Sequence, residues 1–214
     1  VAVPDASSSS FQAPTLLVAM PQVLDPFFHK SVVLLIHQDD DEGSFGVIVN
    51  RQTEIKVSEI LAGLEIDWQG DDEALAYFGG PVQPQLGSVL FARRGDDPVE
   101  TAGGPEGDDE TEGGLAAATE VAPGLVVTHH VGDLRLLAGS PPEYVRLYLG
   151  YAGWGAGQLM QEILRDDWLL APVSEELIFA TDPEDVWERT LRSVGIDPAS
   201  LPSWGPGGGG EEAN

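Results

Sequence analysis

The segment Val32-Val33-Leu34-Leu35-Ile36-His37, then Asp39-Asp40-Asp41-Glu42-Gly43, then Phe45-Gly46-Val47-Ile48-Val49-Asn50, constrains this chain more than any other feature. An unbroken apolar run of strand length, bounded by a polar turn and followed by a second such run, predicts a buried hairpin with its acidic loop in solvent. A fold built around that hairpin must cover it with further apolar elements. Val57, Ile60, Leu61 and Leu64 recur at helical spacing and supply one short covering helix.

Other strands are expected at Ala74 to Phe78, Gly87 to Arg93 and Leu125 to His129. Val145, Leu147, Leu149 and Tyr151 alternate with Arg146, Tyr148 and Gly150, the period of a strand. A turn through Gly153, Gly155 and Gly157 then leads into a helix carrying Leu159, Met160, Ile163 and Leu164, with an extended segment from Leu169 to Val173. The last helix is expected to start at an Asp182 cap with Pro183 in its first turn, to bury Trp187, Leu191 and Val194, and to stop at Gly195. Clustered rather than strictly alternating elements predict an α+β fold: a compact single domain of antiparallel or mixed sheet with flanking helices.

Composition sets the ends and the surface. Residues 1–13, with four consecutive serines, and the Gly-rich acidic tail 205–214 are expected to be disordered, leaving a domain over 14–204. The stretch 95–124 holds nine acidic residues and no basic one, and reads as a disordered acidic insertion. Across 214 residues, 36 Asp and Glu face ten Lys and Arg, a formal charge of −26. Such a field repels phosphate backbones and anionic headgroups, so direct nucleic-acid binding and membrane association are disfavoured. The absence of cysteine excludes thiolate catalysis and Cys-ligated metal. No apolar run is long enough for a membrane span, and the cytoplasm is the expected location.

Motifs that carry chemistry are sparse. Gly153, Gly155 and Gly157 could present backbone N–H groups to an anion, or could simply make a tight turn; the spacing matches neither dinucleotide nor P-loop signatures. Asp39 to Glu42 lacks the alternation of a calcium loop. His129 and His130 are adjacent and would point to opposite faces of a strand, while His29 and His37 stand alone, so no metal site or cofactor is expected. No serine lies in a G-x-S-x-G setting. Glu162 and Asp166, four apart on a helix, could pair as acid and base or form a solvated face.

Five blocks in order carry a resemblance: Leu17 to Pro21; Asp25-Pro26-Phe27-Phe28-His29-Lys30-Ser31 with the run that follows; Gly46 to Arg51; Phe78-Gly79-Gly80-Pro81-Val82; and Leu149 to Leu159 with Trp168-Leu169. Together they resemble the YqgE/AlgH family of bacterial proteins. The resemblance implies a compact α+β cytoplasmic domain of unassigned activity, one branch of which is labelled a transcriptional regulator. The chain departs from the pattern at Lys30, where the family usually has Arg, at Met160, where an acidic residue is common, and in the length of the acidic insertion. If the shared motifs build one surface, Asp25, Ser31, Asn50, Arg51, Gly79, Gly80, Trp154 and Gln158 are its expected lining; the same residues could equally be turn and loop anchors.

Three functions follow. The first is a non-enzymatic cytoplasmic regulatory or interaction protein acting through a partner protein or a small ligand. The second is a transcriptional regulator, direct or indirect, which the charge opposes where it requires DNA contact. The third is an enzyme or small-ligand sensor with a polar pocket near Asp25, Ser31, Asn50 and Arg51.

Overall fold

In the computed structural model the described residues are 13–93, 100–101, 114–115 and 117–202. The hairpin at its centre is formed by β2 (Val32–His37) and β3 (Ser44–Ile48), antiparallel with Val33 opposite Ile48 and Leu34 opposite Val47. The unbroken apolar run of β2 is explained by its two faces. Val32 and Leu34 enter one core cluster with Trp187 and Leu191, while Val33 and Leu35 enter another with Trp154 and Trp168. Neighbouring β1 (Thr15–Ala19) divides in the same way, Leu16 and Val18 to one side and Leu17 and Ala19 to the other.

The remaining strands are β4 (Gln52–Lys56), β5 (Leu75–Phe78), β6 (Val82–Ala92), the short pair β7 (Glu100–Thr101) and β8 (Gly114–Leu115), β9 (Thr119–Ala122), β10 (Leu125–Thr128), β11 (Val145–Trp154) and β12 (Trp168–Ala171). The main sheet runs β12-β1-β2-β3-β11-β6-β10-β9, with β5 paired to β11 and β4 to β5. All of these pairings are antiparallel except β5 with β11, so the sheet is mixed and the α+β class holds.

Strand β11 belongs to two sheet regions. Its first half pairs with β6 and β5, and Ala152 to Trp154 pair with β3. The register shifts between Leu149 and Tyr151, and Gly150 there has φ +69. A Cβ on Gly150 would lie 2.4 Å from the Gly80 carbonyl oxygen, and one on Gly79 2.3 Å from the Gly150 carbonyl oxygen. Only backbones without side chains fit this crossing.

Helices α1 (Val57–Ala62) and α2 (Val131–Gly139) cover the β6/β11 region through Val57, Leu61, Leu134 and Leu137. Helix α3 (Gln158–Leu164) follows β11, and a π-helical turn, Glu176–Ala180, precedes α4 (Val186–Ser193) and a 3-10 turn, Pro198–Ser200. Helix α4 starts one turn later than the sequence suggests, because Asp182 caps the preceding turn through Glu184 N–H at 3.1 Å. Its expected stop is present. Gly195 has φ +83, its N–H donates to Arg192 O, and Ile196 N–H donates to Leu191 O, a Schellman arrangement.

Several expected boundaries move. The turn expected after Tyr151 is still strand as far as Trp154, β6 begins at Val82 rather than Gly87, and α2 lies where the sequence pattern predicts no helix. The acidic stretch 95–124 does not remain outside the sheet to its end: Thr119–Ala122 pairs with β10 around Gly124 at φ +75. The rest of that stretch lies mostly outside the described residues, as do 1–12 and 203–214.

Candidate functional site

The β1–β2 connection and the end of β3 meet through side chains that bond to backbone. Asn50 accepts from Val32 N–H at 2.8 Å and donates from Nδ2 to Lys30 O at 2.9 Å, so its carboxamide extends the β2–β3 ladder by one rung. Arg51 donates to His29 O at 2.6 Å and Pro26 O at 3.4 Å, and burial lowers its pKa from the ordinary guanidinium value. Asp25 is exposed and accepts from Phe27 N–H at 2.8 Å, closing the turn that presents these carbonyls. Lys30, at φ +50, lies 5.1 Å from the Trp187 ring centroid. Ser31 is fully buried, and its hydroxyl has no hydrogen-bond partner.

A second constellation forms where β11 ends. The Trp154 and Trp168 indoles both donate to Glu162, and Gln158 Nε2 donates to its other oxygen at 2.8 Å. Gln158 Oε1 accepts from Gly155 N–H at 3.1 Å, so one amide an anion would need in that glycine turn is already bonded within the chain. Phe28 joins the two constellations, edge-on to Trp168 at 5.5 Å and tilted to Trp154 at 6.4 Å.

The structure therefore brings Asp25, Ser31, Asn50 and Arg51 around one loop and places Trp154 and Gln158 on a neighbouring cluster. Gly79 and Gly80 lie at the backbone crossing, where Gly79 N–H donates to Leu149 O and Gly79 O accepts from Ile48 N–H, both at 2.8 Å. Most of these polar groups hold backbone. Glu162 and Trp168 complete the second cluster; Trp168 lies in the shared Trp168-Leu169 motif, and the i to i+4 spacing of Gln158 and Glu162 is the sequence signal that could have found Glu162. Asp166 does not pair with Glu162; its backbone carbonyl accepts from Gln22 Nε2.

Histidines do not converge on a metal: among the described residues no group of three or more His, Asp or Glu could hold one. His130 Nδ1 caps α2 through Gly132 N–H at 3.2 Å. His37 and His129, far apart in sequence, line one largely apolar groove of about 440 Å³ with Phe45, Leu86, Val127 and Tyr151. A separate cleft of about 460 Å³ lies between α1, α2 and β11. No helix of the described residues is long and apolar enough to cross a membrane.

Comparison with known proteins agrees with this architecture. A UPF0301 protein of Myxococcus xanthus is 36% identical over 190 residues, covering 88% of this chain and 94% of its own length. A UPF0301 protein of Xanthomonas oryzae is 36% identical over 185 residues, covering 85% and 88%. The solution structure of the AlgH protein of Pseudomonas aeruginosa is similar with a TM-score of 0.67 and 27% identity, covering 90% of this chain and 94% of that one. The crystal structure of DIP2367 from Corynebacterium diphtheriae shares the fold at a TM-score of 0.64 and 24% identity, covering 86% and 87%. The family model described as AlgH-like matches residues 16–199, and this chain belongs to that family.

Proposed function

We propose that this chain is a non-enzymatic cytoplasmic binding protein that acts through a partner protein or a small ligand. The observation that carries this reading is the engagement of the motif side chains. Asn50 and Arg51 are bonded to loop carbonyls, and Gln158, Trp154 and Trp168 to one another through Glu162. Catalysis needs a nucleophile within reach of a base, or donors facing a vacant position where charge develops. Ser31 is sealed from solvent and makes no hydrogen bond to a base.

Direct DNA contact is opposed by more than net charge. Lys56, Arg93, Arg165 and Arg192 are paired with Glu73, Glu120, Asp167 and Glu188. Lys30 and Arg51 are held by a ring and by carbonyls, and Arg146 is recessed in a cleft over the Tyr77 ring rather than on an open face. Arg135 and Arg189 are left exposed without a carboxylate partner among the described residues, too few to neutralise a run of phosphates.

The test is thermal unfolding of the full chain against nucleotides, sugar phosphates, metal ions and short DNA duplexes at several salt concentrations, beside assays with ester and phosphoester substrates. A ligand near a hundred times its Kd adds about 2.7 kcal/mol, so a stabilising small molecule without turnover is the supporting result. Turnover abolished by Ser31→Ala, or a salt-dependent DNA affinity, would overturn the proposal.

A further inference from the structure

Arg146 is the cation of β11, and its guanidinium lies 4.2 Å from the centroid of the Tyr77 ring. It donates to Val49 O at 3.0 Å and to Phe179 O at 3.4 Å. No carboxylate of the described residues pairs with it. A guanidinium carries five N–H donors in a fixed fork, so two carbonyl bonds leave donors over and the positive charge uncompensated. Lys30, Arg51, Arg135 and Arg189 likewise have no carboxylate partner, but among the described cations only Arg146 lines the cleft between α1, α2 and β11. Two residues further along the same strand face, the Tyr148 hydroxyl is fully buried beside the Arg146 guanidinium.

Arg146 lines the 460 Å³ cleft. Its floor is apolar: Val57 and Leu61 from α1, Leu134 and Leu137 from α2, Val89 and Leu147 from the sheet. Trp68 forms one wall, fixed by donation from Nε1 to Asp71 O at 2.9 Å. The exposed Gln52 and Gln69 side chains stand at the rim and make no hydrogen bond. An apolar floor of this size with a few convergent polar groups is the usual constitution of a small-molecule site.

We propose that this cleft binds a small organic monocarboxylate with an apolar body, its carboxylate on Arg146 and its body on the α1/α2 floor. The remaining charges set the class. Asp71 and Glu143 also line the cleft and oppose a polyanion such as a nucleoside triphosphate, whereas one carboxylate meets one guanidinium. This assignment rests on the reading of the chain as a binding protein and names the chemistry of its ligand.

The experiment is an NMR titration of the isotopically labelled full chain with phenylacetate, and with phenylacetamide as its neutral counterpart. Phenylacetate is expected to shift the Trp68 indole and the Gln52 and Gln69 carboxamide signals saturably, and phenylacetamide to bind at least about tenfold more weakly. Gln69→Glu changes an exposed side chain without hydrogen bonds, so the variant keeps its fold; it should weaken phenylacetate about threefold or more through repulsion. Arg146→Lys should abolish the shifts at Trp68. Absence of saturable shifts, equal binding of the amide, or shifts unchanged in both variants would overturn the proposal. Phenylacetate has no ester to cleave, so turnover of the ester substrates would sink the non-enzymatic reading and leave this one standing.

Discussion

The indole N–H groups of Trp154 and Trp168 converge on a single oxygen, Oε2 of Glu162, each at 2.8 Å, with the two ring centroids 5.7 Å apart and nearly perpendicular. Trp154 closes β11 and Trp168 opens β12, so one carboxylate on α3 ties both strands to the helix between them. Removing it leaves two nearly buried indole donors without an acceptor. Glu162→Ala is expected to cost about 2–4 kcal/mol, since hydrogen bonds to a charged group contribute about 1.5–3 kcal/mol each and do not add fully. Glu162→Gln, which keeps an acceptor oxygen, should cost about half as much. Urea unfolding monitored by tryptophan fluorescence measures both.

Asn50 makes the corresponding tie on the other side of Phe28. Asn50→Ala loses one bond to Val32 N–H and one to Lys30 O, a cost of about 1–3 kcal/mol. Asn50→Asp keeps the acceptor and should fall between wild type and Ala. Hydrogen exchange at the Val32 amide is the local readout, and faster exchange should appear there before it appears at Val33.

Ser31 gives the opposite sign. Its hydroxyl is buried and unpaired, so Ser31→Ala removes a desolvated group without breaking a bond. The variant should be as stable as wild type or up to about 1 kcal/mol more stable by chemical denaturation. Its ligand-induced thermal shifts should be unchanged.

Two glycines should respond in opposite directions. At Gly150 a side chain meets both the φ of +69 and the Gly80 carbonyl, so Gly150→Ala is expected to cost about 3 kcal/mol or more, or to abolish folding. Gly139, the last residue of α2, has nothing within 4 Å of its absent Cβ and no positive φ. Gly139→Ala should raise stability by about 0.5–1 kcal/mol. Thermal unfolding of the pair separates conformational freedom from steric need.

Asp39 sits at the acidic hairpin tip and accepts from Glu42 and Asp41 N–H, both at 2.8 Å. These bonds, Glu42 first, lower its pKa below the ordinary 3.8. The sign follows from the depressed value: the turn's contribution is present above pH 3.8 and is lost as the pH falls through the lower folded-state pKa. NMR of the Asp41 and Glu42 amides should show the turn intact at pH 5 and released only in this acid range; loss at neutral pH would refute the assignment.

The central hairpin and the end of α4 were legible because a local pattern dictated each: an unbroken apolar run in β2, and Gly195 after Leu191 and Val194. Helix α2 was not, since Gly132 and Gly139 dilute it and its buried positions are few. The π-helical turn Glu176–Ala180 has no sequence signature, and β6 includes Pro84 near its start, where a strand is not expected from the sequence. The site divides on the same principle. Shared motifs pointed to Asn50, Arg51, Trp154 and Gln158, but motif strength could not say that their donors and acceptors face inward. The cleft at Arg146 was invisible because its walls come from α1, α2, the Trp68 loop and the sheet, and only the closed fold brings them together.

Strand β11 lies late in the chain yet pairs with β3, β5 and β6, so Gly46 waits for Ala152 and Val89 for Leu147. A ribosome releasing this protein exposes the most apolar hairpin first and its covering strand a hundred or so residues later, a delay that long-range sheet pairing makes inherently slow. During that interval the unpaired edge of β3 is the segment most in need of a chaperone, and a nascent chain arrested before Val145 should be held rather than folded.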